Sequence, residues 1–162
     1  KNKVTKGIIF LYFVSWVIAC NTKKAESVEE GIDKEQIKKE IQAKEDEFAA
    51  TYNAGKMKNI GYYADDAITF AQNSEPLVGR TAIVKYLKAN LDSLENSNKI
   101  TFLTKEVFVS NDGKYVVEIG YYKVVDSTKT AINTGNYMSL FEKRNGKYFS
   151  LRDMSASDMP VR

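Results

Sequence analysis

Hydrophobic positions fall into three regimes along this chain: nearly unbroken from Gly7 to Ala19, spaced by three and four residues between Ile32 and Leu91, and alternating from Lys99 onward. Each spacing predicts a different kind of element. In the second regime Ile37, Ile41, Phe48 and Tyr52 fall on one stripe, which predicts a long amphipathic helix over roughly 34–54. Asp33 with Gln36 is a variant of the capping box, Ile32 and Ile37 hold the staple positions, and Gly55 suits the C-terminal stop. Lys56 to Tyr63 (KMKNIGYY) reads as a second, short helix with Met57 and Ile60 inward, ended by Asp65-Asp66. Ala67 to Ala71 then alternates as a short strand, and Val78 and Ile83 around Gly79 open a third helix through Leu87 and Leu91.

The alternating regime contains four long strands, 100–110, 114–126, 131–144 and 147–157, separated by NDG, STK and NG turns. Asn145-Gly146 is the strongest hairpin signal. Helices first and a meander afterwards make an α+β plan, in which a curved antiparallel sheet wraps around the long N-terminal helix, with two shorter helices beside it. Twisted sheet and covering helix rarely close at both ends, so the expected shape is a cone with one pocket.

The first regime is an address. Its thirteen residues span about 20 Å as a helix, short of a bilayer core of about 30 Å. With Lys1, Lys3 and Lys6 before it, the run reads as a signal-peptide core covering 1–19. Val17-Ile18-Ala19-Cys20 resembles the bacterial lipobox, which implies a lipid on Cys20, and residues 20–32, poor in large apolar side chains, read as a flexible tether. The domain proper is then 33–162. The location that follows is extracytoplasmic, lipid-anchored to a bacterial membrane, with the outer membrane expected ahead of the inner.

Composition removes whole classes of chemistry. The 24 Lys and Arg against 21 Asp and Glu give +3, but Lys1, Lys3 and Lys6 account for that excess, so residues 20–162 are neutral. No nucleic-acid partner is expected. There is no His, and Cys20 is the single Cys, which excludes His-dependent triads, imidazole or thiolate metal sites, and an intramolecular disulfide. No metal and no cofactor is expected. Hydroxyls, carboxylates, amides and a large set of tyrosines remain.

Phe48-Ala49-Ala50-Thr51-Tyr52-Asn53-Ala54-Gly55, Tyr63-Ala64-Asp65-Asp66-Ala67 and Leu77-Val78-Gly79-Arg80-Thr81-Ala82-Ile83 resemble the first half of the nuclear transport factor 2-like superfamily, which includes ketosteroid isomerases and SnoaL-like proteins. Gly135-Asn136-Tyr137, Asn145-Gly146-Lys147-Tyr148 and Asp153-Met154-Ser155 resemble its last two strands. The resemblance implies a cystatin-like cone with an internal cavity. It also implies an isomerase tyrosine at the position of Phe48 and an isomerase base at the position of Ala71, and neither residue transfers protons. SnoaL-like cyclases lean on an Asp/His arrangement, and this chain has no His.

For the pocket the candidates are Phe48, Tyr52, Tyr63, Phe70, Tyr122, Asn136, Tyr137 and Asp153. Tyrosines offer rings plus hydroxyl donors, which suits a small apolar or amphipathic ligand; packing at strand and helix surfaces is the alternative for each. Asp65 and Asp66 read as turn carboxylates or as a cation-binding pair, and Arg80 as a solvated basic residue. Asp153 reads as a strand-end carboxylate paired with Arg152 or Lys147 or, if buried beside tyrosines, as the one available general base.

The reading that results is a membrane-anchored binding or scaffold domain with an aromatic pocket, without catalysis, and with dimerisation through the outer sheet face. One alternative is an isomerase, cyclase or hydrolase using Asp153 and pocket tyrosines. A buried Asp153 within reach of a cavity tyrosine would favour that enzyme. The other alternative is a protein-interaction domain whose cavity is filled, and a volume below about 300 Å³ would favour it. Radioactive palmitate is expected to label the wild-type chain and to leave Cys20→Ala unlabelled; equal incorporation into both would remove the anchor.

Overall fold

The structure, a computed structural model, describes residues 31–93 and 98–160. The signal segment 1–19, Cys20 and most of the tether 20–32 lie outside the described residues. Helix α1 spans Lys34–Asn53, and its Asp33 cap accepts the Gln36 N–H at 2.9 Å. Its inward stripe is Ile37, Ile41, Glu45 and Phe48, with Tyr52 half-buried one turn further on. A single 3-10 turn, Met57–Asn59, leads to strands β1 (Tyr63–Phe70) and β2 (Leu77–Val78), then helix α2 (Arg80–Ser93). Four long strands complete the domain: β3 (Lys99–Val109), β4 (Tyr115–Val125), β5 (Ala131–Arg144) and β6 (Lys147–Ser157). They form one six-stranded sheet in the order β2-β1-β6-β5-β4-β3.

Two expectations are corrected. The second helix expected over 56–63 shrinks to the 3-10 turn, because Tyr62 and Tyr63 are drawn into sheet pairing: Tyr63 stands beside Ser150, and the Ser150 N–H bonds the Tyr62 carbonyl at 2.8 Å. The sheet is antiparallel except for β1, which runs parallel to β6, with Thr69 beside Asp153. That pairing joins the first strand to the last, so no hairpin turn in the sequence announces it.

Strand β3 is an edge strand, and α1 satisfies that edge with side-chain amides. The Thr104 N–H donates to Gln42 Oε1 at 2.8 Å, and Gln42 Nε2 donates to the Phe102 carbonyl at 3.2 Å. One helical segment later Asn53 repeats the pattern, accepting the Ile100 N–H at 2.9 Å and donating to the Ile100 carbonyl at 2.8 Å. Lys38 caps the carbonyl of Lys105, the residue at which β3 slips register against β4. These bonds hold the helix across the concave face while blunting a pairing edge.

The curl of that face is written in β4 and β5. Val116, Glu118, Gly120 and Tyr122 of β4 and Gly135, Tyr137, Ser139 and Phe141 of β5 are buried on it. Gly120 pairs with Tyr137, and Tyr122 pairs with Gly135, so each ring lies over the opposite glycine. A Cβ on Gly120 would come 2.1 Å from Tyr137 Cζ, and one on Gly135 would come 2.5 Å from Tyr122 Cε1. The rings therefore lie flat against the strands only because the glycines have no side chain. Core packing concentrates at the other end of α1, where Ile41, Ile83, Val116 and Phe141 are fully enclosed. Gly120→Ala is expected to displace the Tyr137 ring and lower unfolding stability by about 1–3 kcal/mol in urea titrations; an unchanged midpoint would show that the ring has room elsewhere.

Candidate functional site

Beside the C-terminal half of α1, at Glu45, Phe48 and Tyr52, the concave face stays open as a cavity of about 300 Å³, at the lower bound of small-molecule pockets. It is not filled by its own side chains. Phe48, Tyr52, Tyr62, Tyr63, Phe70, Tyr86, Phe102, Tyr122 and Tyr137 line it, together with Glu45, Thr69, Ser139 and Asp153. Exposure grades along it: Glu45, Tyr62, Tyr63, Ser139 and Tyr137 are buried, Tyr52, Tyr86 and Leu87 are half-buried, and Phe70 at 44% and Met154 at 53% stand at the rim. Phe48 sits at the hub of the rings, 4.8 Å from Tyr62, 5.5 Å from Phe102 and 6.1 Å from Tyr63 between centroids. Phe102 continues the belt to Tyr137 at 5.4 Å. Ring edges meet ring faces in most of these pairs, the arrangement that aromatic quadrupoles favour.

Three carboxyls lie among these rings, Glu45 and Glu118 buried and Asp153 half-buried. Tyr62 Oη donates to Glu45 Oε1 at 2.5 Å. Burial, reinforced by the neighbouring Glu118, holds Glu45 well above the usual carboxylate range. Glu118 accepts from Thr104 Oγ1 at 2.6 Å and Tyr137 Oη at 2.8 Å; burial raises it too, although both hydrogen bonds oppose the rise. Its other oxygen, Oε2, is buried without a hydrogen-bond partner. Asp153 accepts from Thr69 Oγ1 at 2.5 Å and Tyr63 Oη at 3.4 Å, and burial pushes it up to about 6. Burial first, and the nearby acids second, hold Tyr62, Tyr63 and Tyr137 in their protonated, donating form at neutral pH.

Asp153 reaches the cavity through a bulge. Phe141 pairs with Ser150 but Leu140 pairs with Arg152, so Leu151 is an extra residue in β6. Before it the inward residues are Tyr148 and Ser150; after it they are Asp153 and Ser155. The expected pairing of Asp153 with Arg152 or Lys147 is therefore corrected: its partners are Thr69 and Tyr63, while Arg152 bonds the Asp66 and Leu151 carbonyls.

Of the other sequence candidates, Phe48, Tyr52, Tyr63, Phe70, Tyr122 and Tyr137 all line the cavity. Asn136 does not. Strand alternation turns it to the outer face, where it is exposed and donates to Asp158 Oδ1 at 3.3 Å. Asp65 and Asp66 sit on β1 rather than in a turn, outside the cavity. Asp65 pairs with Arg80 at 3.1 Å, and Asp66 receives both guanidinium nitrogens of Arg144 at 2.7 and 3.1 Å. Arg80 is not merely solvated, since it also donates to the Tyr63 carbonyl at 2.9 Å. Ala71, at the position of the isomerase base, lies in the cavity lining with Phe48. Glu45 and Glu118 were not anticipated, although Glu45 stands one turn after Ile41 on the apolar stripe and Glu118 shares the buried phase of Val116 and Tyr122. No group of three or more acidic, His or Cys residues among the described residues is arranged to hold a metal ion.

No protein-family model and no curated protein matches the sequence. Solved structures do match the fold. A nuclear transport factor 2-like protein with a cystatin-like fold from Novosphingobium aromaticivorans has a TM-score of 0.64 at 12% identity, covering 78% of this chain and 84% of that one. A protein from Catenulispora acidiphila, in complex with S-DNPA, has a TM-score of 0.64 at 15% identity over 76% of this chain and 95% of its own. A ketosteroid isomerase-like protein from Erwinia carotovora gives 0.58 at 15% identity over 75% and 96%. The described domain thus has the cystatin-like, nuclear transport factor 2-like fold.

The half-buried carboxyl of Asp153 sets a pH dependence of stability. Its folded value lies above its ordinary 3.8, so its contribution is complete below about pH 4 and is lost as pH rises through about 6. Asp153→Asn is expected to gain on wild type by about 3 kcal/mol between pH 4 and pH 7 in urea unfolding; a constant gap would mean that the carboxyl is solvated.

Proposed function

We propose that this nuclear transport factor 2-like domain holds a small amphipathic molecule in its cone and does not transform it. The observation that carries the reading is the open cavity of about 300 Å³ with a continuous aromatic belt and a few convergent polar groups at its base. Phe48 and Ala71 support the absence of isomerase chemistry, since both face the cavity and neither transfers a proton. The complex of the Catenulispora acidiphila protein with S-DNPA adds a precedent for ligand complexes on this fold.

A second reading is favoured by one observation. Asp153 is a cavity carboxylate near pH 6 with a tyrosine hydroxyl at 3.4 Å, the arrangement of a general base beside a donor. In that reading Asp153 removes a proton from a bound substrate while Tyr62 or Tyr63 donates to the developing oxyanion. It requires Asp153→Asn to keep binding and lose turnover.

We propose further that the domain hangs from a bacterial membrane by lipid on Cys20. Its convex sheet face is then the place for a homodimer contact. Ile119 and Met138 are cross-strand neighbours there, and Met138 is about half exposed.

Native mass spectrometry of the purified chain is expected to show a co-purifying small molecule at one per cone. Leu87→Trp, which places an indole at the half-buried wall, is expected to cut its occupancy at least about tenfold. A wild-type chain that is empty and also refuses a panel of aromatic ligands at millimolar concentration would remove the binding reading.

A further inference from the structure

We infer that the cone selects an organic cation, a small ammonium-bearing molecule whose charged head sits against Asp153 within the aromatic belt and whose apolar part points to the mouth. The inference rests on the binding reading above and adds the sign of the ligand's charge. Three features of the site converge on it.

First, the lining is one-signed. Glu45 and Asp153 are its acids, and none of the residues lining it is Lys or Arg. Glu118, behind Tyr137, adds a third carboxyl whose Oε2 has no partner. An anionic ligand would enter against the Asp153 carboxylate, with no base to receive it.

Second, Asp153 has no cationic partner among the described residues. It receives one close hydrogen bond, from Thr69, and a long one from Tyr63, whereas the exposed acids Asp65 and Asp66 each have an arginine. A half-buried carboxylate in that condition carries a desolvation cost that the fold does not offset, and an ammonium brought within about 4 Å offsets it. A neutral ligand would displace water from the cavity and leave the charge less well solvated than before.

Third, the surrounding walls suit a weakly hydrated cation. Phe48, Tyr63, Phe102 and Tyr137 form a connected belt at centroid spacings between 5.4 and 6.1 Å. Aromatic faces attract quaternary and alkyl ammonium groups, and the attraction grows when water is excluded. Rings plus one unpaired carboxylate are a better match to such a head group than to a hydroxyl or a carbonyl.

The titratable groups that face Asp153 are Glu45 from α1 and Tyr62 and Tyr63 from the segment entering β1. Burial holds Glu45 well above the usual carboxylate range and both tyrosines above theirs, whereas Asp153, at about 6, lies between the two pH values of the test below.

The test uses the full-length chain and three matched probes, benzyltrimethylammonium, its uncharged carbon isostere neopentylbenzene, and phenylacetate, with binding read by ligand-observed NMR. At pH 7.5 the ammonium is expected to bind at least about tenfold more tightly than the isostere, with phenylacetate unbound. At pH 5 the preference should shrink several-fold as the carboxylate protonates, and Asp153→Asn should remove it at both pH values. Should the variant fail to fold, the two pH values in wild type decide the matter alone. An isostere that binds as well as the ammonium at pH 7.5 overturns the charge preference while the binding reading stands. If none of the three probes binds, both are overturned.

Discussion

The cone depends on the seam between α1 and β3. Without Gln42 and Asn53, the outer edge of β3 would present bare N–H and C=O groups, and nothing directional would fix the helix across the sheet. Hydrophobic contact alone allows a helix to slide or rock on a curved sheet, whereas two amides bonded to alternate backbone positions fix both its height and its roll. Height decides how far the helix covers the concave face, and so where the cavity begins. Roll decides which residues look inward, and so brings Glu45 beneath the rings rather than into solvent.

The electrostatics follow from that placement. Three carboxyls enter a space walled by aromatic rings, where burial favours their protonated forms. They do not behave alike. Burial and the neighbouring Glu118 hold Glu45 well above the usual carboxylate range, whereas Asp153, held by Thr69 and half-buried, is pushed up only to about 6. Environments that separate similar groups in this way divide the labour among them, one serving as a donor and another as the seat of charge. Tyr62, Tyr63 and Tyr137 each donate to one of these carboxyls, at the polar base of an apolar funnel.

Much of the fold was legible in the sequence because it rests on local signals. The Asp33 cap, the stripe on α1, the alternation of β3 to β6 and the Asn145-Gly146 turn all act within a few residues. The aromatic lining was legible for a similar reason, since Tyr52 extends the helix stripe and Tyr122 and Tyr137 share the phase of their strands' buried residues. What escaped was non-local or out of phase. The parallel pairing of β1 with β6 joins distant segments. Asn136 was read as a cavity residue beside Tyr137, but neighbours on a strand face opposite ways. Glu45 and Glu118 looked like surface acids by type, and only their position in an apolar period distinguished them.

The extra residue at Leu151 has a consequence for how this site can change over time. Because it shifts the strand's phase, the charge presented to the interior is set by a backbone irregularity as well as by residue identity. Had β6 continued from Ser150 without the bulge, Arg152 rather than Asp153 would stand opposite Ser139 and the polarity of the chamber would be reversed, whereas deletion of Leu151 closes the bulge and leaves Asp153 in place. A lineage carrying this scaffold thus exchanges one class of guest for its opposite by losing the irregularity, with every side chain of the strand unchanged.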